Sequence, residues 1–233
     1  MFRHVARRLA DAVFGGSCFV CRGRAARGLL CAECAAELPR IPAERCPRCA
    51  LPAPASQVCG RCLASSPAYD ATHAALEFAF PADVIVHALK YRGELALAAL
   101  AADLIDACIA GAERVDAVVP VPLSHARMRE RGYNQSMEIA RRLAHARGAR
   151  LAPELCERVS DAPAQAALPY AQRAGNVRGA FRCPRAAPAT VAVLDDVMTT
   201  GATLGEVAGA LKRAGAIRVV NWVFARTFPP ADV

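Results

Sequence analysis

Eight of the eleven cysteines lie within the first 62 residues and repeat one spacing pattern twice. Each copy reads C-x2-C-x9-C-x2-C, and eleven residues separate the two copies. Two cysteines that flank two residues can direct both sulfurs at one tetrahedral ion, and a second such pair completes the shell. The pattern predicts two structural Zn²⁺ sites, which would supply most of the folding free energy of a segment with few large apolar residues. The predicted ligands are Cys18, Cys21, Cys31, Cys34, Cys46, Cys49, Cys59 and Cys62.

The spacing allows two ways of sharing the ions. Consecutive pairing gives one site from Cys18 to Cys34 and a second from Cys46 to Cys62, which is a double zinc ribbon. A cross-braced arrangement would combine the first pair with the third and the second with the fourth. We favour consecutive pairing because each half repeats the same spacing as a self-contained unit. A secreted disulfide scaffold is disfavoured because charges such as Arg7 interrupt any signal-peptide core, and redox C-x2-C chemistry needs only one pair.

A second group of chemically competent residues lies between residues 191 and 204. The apolar run Val191–Leu194 predicts a short buried strand, and Asp195 and Asp196 follow it directly. Open α/β sheets bind ligands at the carboxyl ends of their strands. The chain then turns into a helix, so that backbone N–H groups, hydroxyls and the positive end of the helix dipole converge on one point suited to a phosphate monoester. We name this turn the threonine loop; it consists of Thr199, Thr200, Gly201, Ala202 and Thr203.

The two acids require a different ligand group from the threonine loop. Carboxylates repel a phosphate, but they accept hydrogen bonds from the vicinal hydroxyls of a sugar, and a ligand-borne Mg²⁺ can be held nearby through water. The whole segment resembles the phosphoribosyl pyrophosphate (PRPP) binding motif of type I phosphoribosyltransferases. The resemblance implies that Asp195 and Asp196 contact the ribose 2′- and 3′-hydroxyls and that the threonine loop takes the 5′-phosphate.

Further blocks of the sequence are similar to the ComF family, the competence protein F or ComFC-like proteins. Together with the cysteine-rich segment they cover nearly all of residues 17–228. The blocks are residues 89–93 (LKYRG), 118–123 (VVPVPL), 127–136 (RMRERGYNQS), 165–168 (QAAL), Arg173 and residues 176–181 (NVRGAF). The resemblance implies a glycosyltransferase that moves a phosphoribosyl group from PRPP to an unknown acceptor and releases pyrophosphate. It also implies a link to DNA uptake in natural transformation.

The resemblance assigns roles to residues outside the threonine loop. Val121 and Pro122 would lie in the loop whose backbone N–H groups meet the pyrophosphate. Arg127, Arg129 and Arg131 are expected to close over the diphosphate as a mobile basic lid. An exposed basic loop without catalytic duty is the alternative interpretation of these arginines.

Four more residues are candidates for the neighbourhood of the site. Lys90 is expected to face the mouth of the active site, although a solvated lysine beside the core explains it almost as well. His125, beside the basic lid, is the only histidine that we connect with the site. Arg173 and Asn176 would border the acceptor pocket or anchor a loop.

Alternating strand and helix patterns predict an α/β fold, with a mostly parallel sheet flanked by helices as in type I phosphoribosyltransferases. The predicted organisation is an amphipathic helix at 1–16, the double zinc ribbon at 17–63, a linker at 64–72 and the phosphoribosyltransferase-like domain at 73–233. Predicted strands of that domain are 74–80, 116–121, 191–194 and 217–225, and predicted helices are 81–92, 94–110, 134–147 and 203–214. Glu206, three residues after Thr203, predicts a capping box at the last helix.

Composition narrows the class of protein. The 233 residues carry a formal net charge of +8, and 55% are hydrophobic, which argues against disorder along most of the chain. The longest apolar run, from Leu95 to Ala110, is interrupted by Asp103 and Asp106, so we expect a cytoplasmic protein and not an integral membrane protein. The positive charge is compatible with single-stranded DNA or a competence helicase as partner. Alternative functions are therefore a non-catalytic accessory that handles single-stranded DNA and a PRPP-sensing regulator.

Overall fold

The computed structural model describes residues 16–26, 28–159 and 177–229. The helix predicted for residues 1–16 lies outside these residues apart from Gly16, which begins the first strand. Arg173, Asn176 and the block 165–168 also lie outside them.

The cysteine-rich region consists of short elements joined by turns. It contains strands β1 (Gly16–Ser17) and β2 (Arg24–Ala25), helices α1 (Ala32–Ala36) and α2 (Gly60–Ala64), and a 3₁₀ turn at Pro54–Ser56. The two strands pair in antiparallel fashion. None of these elements is long enough to build a core alone, as expected for a metal-stabilised segment.

The rest of the described chain forms a five-stranded sheet in which every neighbouring pair is parallel. In spatial order the strands are β3 (Ala71–Glu77), β9 (Arg218–Arg226), β8 (Thr190–Met198), β4 (Ala117–Pro120) and β5 (Arg150–Leu151). A separate antiparallel pair is formed by β6 (Glu157–Arg158) and β7 (Phe181–Arg182). The predicted parallel α/β architecture is confirmed.

Helices cover both faces of the sheet and leave a buried core on each. They are α3 (Ala82–Tyr91), α4 (Ala96–Cys108), α5 (His125–Arg131), α6 (Gln135–Arg147) and α7 (Ala202–Arg213), with a 3₁₀ turn at Pro153–Leu155. The first core joins α3, α4 and α6 to sheet residues such as Val118 and Leu194. The second core joins α7 to sheet residues such as Val119 and Val193. The alternation along β4 and β8 follows from the two-residue period of a strand.

The cysteine-rich region packs against both cores. Cys18, Cys31 and Cys34 belong to the first core, whereas Cys46, Cys49 and Cys62 belong to the second. Backbone hydrogen bonds extend the β3 edge of the sheet into this region, because the Glu77 N–H donates to Pro39 O (2.7 Å) and the Thr72 N–H to Pro47 O (3.1 Å). The two halves of the cysteine repeat therefore lie on opposite faces of one sheet.

Several element bounds differ from the predicted ones. Strand β3 begins at Ala71, inside the predicted linker, and Asp70 is already fixed by accepting from the Val219 N–H (2.8 Å) and pairing with Lys212 (2.8 Å). Strand β8 continues to Met198, because its ladder with β9 extends past the acids. The capping box was wrong: Gly201 occupies the N-cap without a side-chain cap, and Glu206 instead accepts from the Gly179 N–H (2.8 Å).

No helix among residues 16–26, 28–159 and 177–229 is long and apolar enough to cross a membrane.

Candidate functional site

Asp195 and Asp196 lie near the carboxyl end of strand β8, and each contacts a different helix. The Ser136 hydroxyl at the start of α6 donates to Asp195 Oδ1 (3.1 Å). Lys90 in the last turn of α3 pairs with Asp196, at 2.9 Å from Nζ to Oδ1. Burial, reinforced by the neighbouring charge of Asp196, raises the pKa of the Asp195 carboxyl to about 7, although Lys90 acts in the opposite direction. The lysine partly neutralises a crowded pair of carboxylates.

Two consecutive strand residues would normally point to opposite faces, and here they do not. Ala192 and Leu194 pack in the first core and Val193 in the second, but beyond the acids Val197 contacts the first core and Met198 the second. The alternation is therefore shifted by one residue at the acids, and Asp196 has no partner in the ladder with β9. The shift lets both carboxylates reach helices of the same face.

The threonine loop connects β8 to α7 through a backbone conformation that requires glycine. Gly201 has φ +85°, and a Cβ at this position would lie 2.7 Å from Met198 Cε and 2.8 Å from Tyr69 Oη. Within the described part of the chain, the N–H groups of Thr199, Thr200 and Gly201 donate to no acceptor. They lie at the N-terminus of a twelve-residue helix, whose dipole favours an anion. Free N–H groups at a helix N-terminus are donors that suit an anion, and we call these three the anion cradle.

Asn134 joins α6 to the loop that follows β4. Its amide donates to Val121 O (2.9 Å), while its Oδ1 accepts from the N–H groups of Ser136 (3.0 Å) and Met137 (3.4 Å) as the N-cap of α6. Asn134 thereby holds Ser136 in position to reach Asp195. The sequence interpretation quoted Asn134 and Ser136 only as part of a motif and missed their structural roles.

The structure changes the role predicted for Val121 and Pro122. The Val121 N–H donates to Leu194 O (2.9 Å), and proline has no N–H, so neither residue offers a backbone donor to a ligand. The next N–H groups, of Leu123 and Ser124, have no acceptor within the described residues. The free donors of this loop therefore lie two residues later than predicted.

The segment predicted as a basic lid forms the short helix α5, capped by the Ser124 hydroxyl. Arg129 is exposed and Arg127 half-buried, whereas Arg131 donates to Gln135 Oε1 (3.0 Å) and lies over the ring of Tyr91, 5.2 Å from its centroid. His125 is the first residue of this helix. Of these three arginines, Arg131 contacts α3, the helix that carries Lys90, in the described part of the chain.

Arg226, which the sequence interpretation also missed, donates hydrogen bonds to the backbone at the start of the threonine loop. It ends β9 and is 1% exposed. Its guanidinium donates to Met198 O (3.0 Å) and Thr199 O, and also to Cys49 O (2.9 Å) in the cysteine-rich region. An arginine directly after the apolar run 222–225 (WVFA) at the end of a strand is the sequence signal that could have identified it.

The cysteines form two sets, each with four sulfurs within 4.8 Å of one another. The first set is Cys18, Cys21, Cys31 and Cys34, and the second is Cys46, Cys49, Cys59 and Cys62. Consecutive pairing is thus confirmed and the cross-braced alternative is excluded.

The donor atoms fit a zinc ion. With Zn–S bonds of about 2.3 Å, a tetrahedral shell separates its sulfurs by about 3.8 Å. The sulfurs of Cys21 and Cys31 are 3.7 Å apart, and those of Cys49 and Cys59 are 3.5 Å apart. Backbone N–H groups also point at ligand sulfurs, from Cys34 to Cys31 (3.5 Å) and from Cys59 to Cys46 (3.4 Å). Each set would hold one structural zinc ion with no open coordination position.

Comparisons with known proteins agree with this arrangement. Residues 9–63 match the double zinc ribbon domain family. The DNA utilization protein YhgH of Salmonella typhimurium is 34% identical over 223 residues, which cover 91% of this chain and 97% of that protein. YhgH of Escherichia coli K12 is 32% identical over 222 residues, with the same coverage. Competence protein F of Haemophilus influenzae is 27% identical over 226 residues, covering 91% of this chain and 98% of that protein. With a double zinc ribbon followed by a parallel α/β sheet, and with near-complete alignment to these relatives, the chain belongs to the ComF family.

Proposed function

We propose that this protein binds PRPP and transfers its phosphoribosyl group to an acceptor with release of pyrophosphate. The observation that carries the proposal is the juxtaposition of a carboxylate pair with the threonine loop at the same end of β8. The acids suit a diol, and the loop suits a phosphate monoester. A ribose 5-phosphate carries both groups at opposite ends of one small ring.

Different residues of the site would serve different requirements of phosphoribosyl transfer. The transition state has oxocarbenium character, and negative charge grows on the departing pyrophosphate as the C1′–O bond breaks. The loop after β4, through the N–H groups of Leu123 and Ser124, and the arginines of α5 would meet that charge. Mg²⁺ would accompany PRPP and neutralise part of its diphosphate. Catalysis would rest on holding the sugar, stabilising the leaving group and excluding water, since we assign no general base among the described residues of the site.

Lys90 has a defined task in this scheme. PRPP is a polyanion, and two uncompensated carboxylates would repel it. The Lys90–Asp196 pair (2.9 Å) offsets one of these charges and leaves Asp195, held by Ser136, to be ionised when a hydroxyl donor arrives. This task would account for the position of the Lys90 side chain, which is largely buried against Asp196.

Binding is tested by calorimetric titration of PRPP with Mg²⁺ into the zinc-loaded protein. We expect saturable binding that the double substitution Asp195→Asn plus Asp196→Asn abolishes. Asp103→Asn, an exposed carboxylate on α4, is the matched control and should leave the affinity unchanged. Unchanged binding in the double variant would refute the proposal.

Turnover is tested separately from binding. Pyrophosphate release should be measured across nucleobases, amines and single-stranded DNA as acceptors, with isotope exchange between PRPP and labelled pyrophosphate. Pyrophosphate release or exchange in the presence of an acceptor identifies a catalyst, because the acceptor takes the phosphoribosyl group when the C1′–O bond breaks. Binding of PRPP without release or exchange with any of these acceptors favours a PRPP-sensing regulator.

A second candidate function, direct handling of single-stranded DNA, is favoured by the names of the relatives, DNA utilization protein and competence protein F. The net charge of +8 is compatible with it. True phosphate contacts make affinity fall steeply as salt rises, so a salt titration of single-stranded DNA binding distinguishes them from weak association. The two functions are compatible if DNA or its components supply the acceptor.

A further inference from the structure

Arg226 connects two parts of the molecule that are distant in sequence. Nε donates to Cys49 O (2.9 Å), and Nη1 donates to Met198 O (3.0 Å), Thr199 O and Thr227 O (2.7 Å). No acidic side chain of the described residues pairs with it. Burial of a guanidinium charge is costly unless its N–H groups are hydrogen-bonded, and here the acceptors are backbone carbonyls. Moving any of these carbonyls away would leave a buried donor without its partner. The arginine therefore restrains every backbone segment that it contacts.

The restraint on the threonine loop sets the direction of its donors. In a planar trans peptide, the C=O and the following N–H point in opposite directions. Holding the carbonyls of Met198 and Thr199 against Arg226 therefore turns the N–H groups of Thr199 and Thr200 away from it. These are two of the three loop N–H groups without an acceptor in the described chain. The orientation of the anion cradle depends on this buried side chain.

The restraint on Cys49 acts on the second cysteine set. Cys49 O belongs to the peptide whose N–H, on Ala50, donates to Cys46 O (2.9 Å) and closes the turn between these two ligands. Ala50 has φ +58°, so this turn depends on its hydrogen bonds to keep a conformation unfavourable for alanine. A cavity of about 490 Å³ is lined by residues of both parts, including Cys49, Cys62, Tyr69, Gly201 and Arg226.

We propose that Arg226 is a positioning residue that couples the second cysteine set to the threonine loop. Zinc in the set Cys46, Cys49, Cys59 and Cys62 and a phosphate group on the loop then favour each other's binding. The first set belongs to the opposite core and receives no hydrogen bond from Arg226, so it is not coupled. The ligand side of this inference rests on the proposed binding of PRPP.

The test uses the reciprocity of linked equilibria. The two zinc ions of the wild-type protein are titrated at equilibrium against a zinc-selective chelator, with and without saturating PRPP and Mg²⁺, and are assigned by hydrogen exchange of peptides 18–34 and 46–62. PRPP should raise the zinc affinity of the second set about fivefold or more and leave the first unchanged. An equal effect on both sets, or none on the second while calorimetry shows PRPP bound, would overturn the coupling and leave the proposed function standing.

A ligand-free measurement separates the two hypotheses. Removing only the second zinc should speed hydrogen exchange of the amides of Ala202 and Gly205, which donate to Thr200 Oγ1 (3.3 Å) and Gly201 O (2.8 Å) of the loop, by about fivefold or more, whether or not PRPP binds. Unchanged exchange overturns the coupling, and absent PRPP binding with accelerated exchange overturns only the proposed ligand.

Substitutions locate the coupling in the arginine. Arg226→Lys keeps the charge but cannot span the same carbonyls, and should reduce the effect of PRPP on the second zinc to less than about twofold. Arg45→Lys is the matched control, because Arg45 donates to Pro42 O (3.1 Å) and Ala43 O (3.4 Å) within the same region without reaching the loop. Full retention of coupling in Arg226→Lys would refute the assignment; if this variant does not fold, the wild-type measurements decide.

Discussion

Gly201→Ala is the substitution that tests the geometry of the threonine loop most directly. At φ +85°, a residue with a Cβ loses about 1–2 kcal/mol of backbone stability relative to glycine. The added Cβ also meets Met198 Cε at 2.7 Å and Tyr69 Oη at 2.8 Å. The methionine end can move, but Tyr69 is only 3% exposed, and overpacking of such a site adds about 1–3 kcal/mol. We expect the free energy of unfolding to fall by about 2–5 kcal/mol.

The matched control lies one helical turn further along. Gly205 is inside α7, and a Cβ there has no atom within 4 Å. Gly205→Ala should therefore raise the free energy of unfolding by about 0.5–1 kcal/mol through helix propensity. The two variants add the same methyl group, so opposite signs would isolate the conformation of the loop.

Urea unfolding of the zinc-loaded protein, followed by circular dichroism, measures both changes. Calorimetry on the same variants should show PRPP affinity reduced about tenfold or more by Gly201→Ala and little changed by Gly205→Ala. If Gly201→Ala is as stable as the wild type, the loop does not have the conformation described, and the anion cradle loses its structural basis.

Three further outcomes can be checked. Because the pKa of Asp195 is raised to about 7, the folded state holds a proton that the unfolded state releases near pH 4, so this group's contribution to stability falls as pH rises from about 4 to 7. In urea unfolding, Asp195→Asn should therefore raise the free energy of unfolding more near pH 8 than at pH 4.5. An equal effect at both pH values would contradict the assignment. Asn134→Ala removes the N-cap of α6 and the bond to Val121 O, and should lower the unfolding free energy by about 1–3 kcal/mol, against no more than about 0.5 kcal/mol for the exposed control Arg142→Ala. Elemental analysis should find two zinc ions per chain, with one remaining in Cys59→Ser; a full complement of two in that variant would exclude Cys59 as a ligand.

Two local patterns, the cysteine spacing and the extent of α6, were predicted closely from the sequence. The spacing of Cys46 and Cys49 needs only a tight turn to aim two sulfurs at one point, so the eight ligands follow from short-range geometry. The spacing left the cross-braced alternative open, and consecutive pairing, which was favoured because each half repeats the same spacing, is the one that the structure has. The bounds predicted for α6, 134–147, differ from the observed ones by one residue at the start, because Asn134 is the N-cap, and Gly148 follows the end.

Contacts between distant segments could not be read in the same way. The hydrogen bond from Arg226 to Cys49 spans 177 residues, and the pattern around neither residue indicates the other. Glu206 illustrates the competing effect: a capping box was the local option, but tertiary packing gave its carboxylate the Gly179 N–H instead. The hydrogen bond of the Val121 N–H with Leu194 similarly depends on the pairing of β4 with β8, which moved the expected donors along the loop. The roles proposed for Arg127, Arg129 and Arg131 remain predictions.

The placement of the two cysteine sets on opposite faces of the sheet has a consequence for truncation. Removing residues 16–64 would uncover apolar side chains on both faces at once, and would leave the backbone of β3 unpaired along its outer edge. Exposed apolar patches beside an open strand edge promote self-association. The sheet portion expressed alone should therefore aggregate. The N-terminal region covers both faces and the β3 edge of the sheet, so it is not a module that could be exchanged independently between proteins.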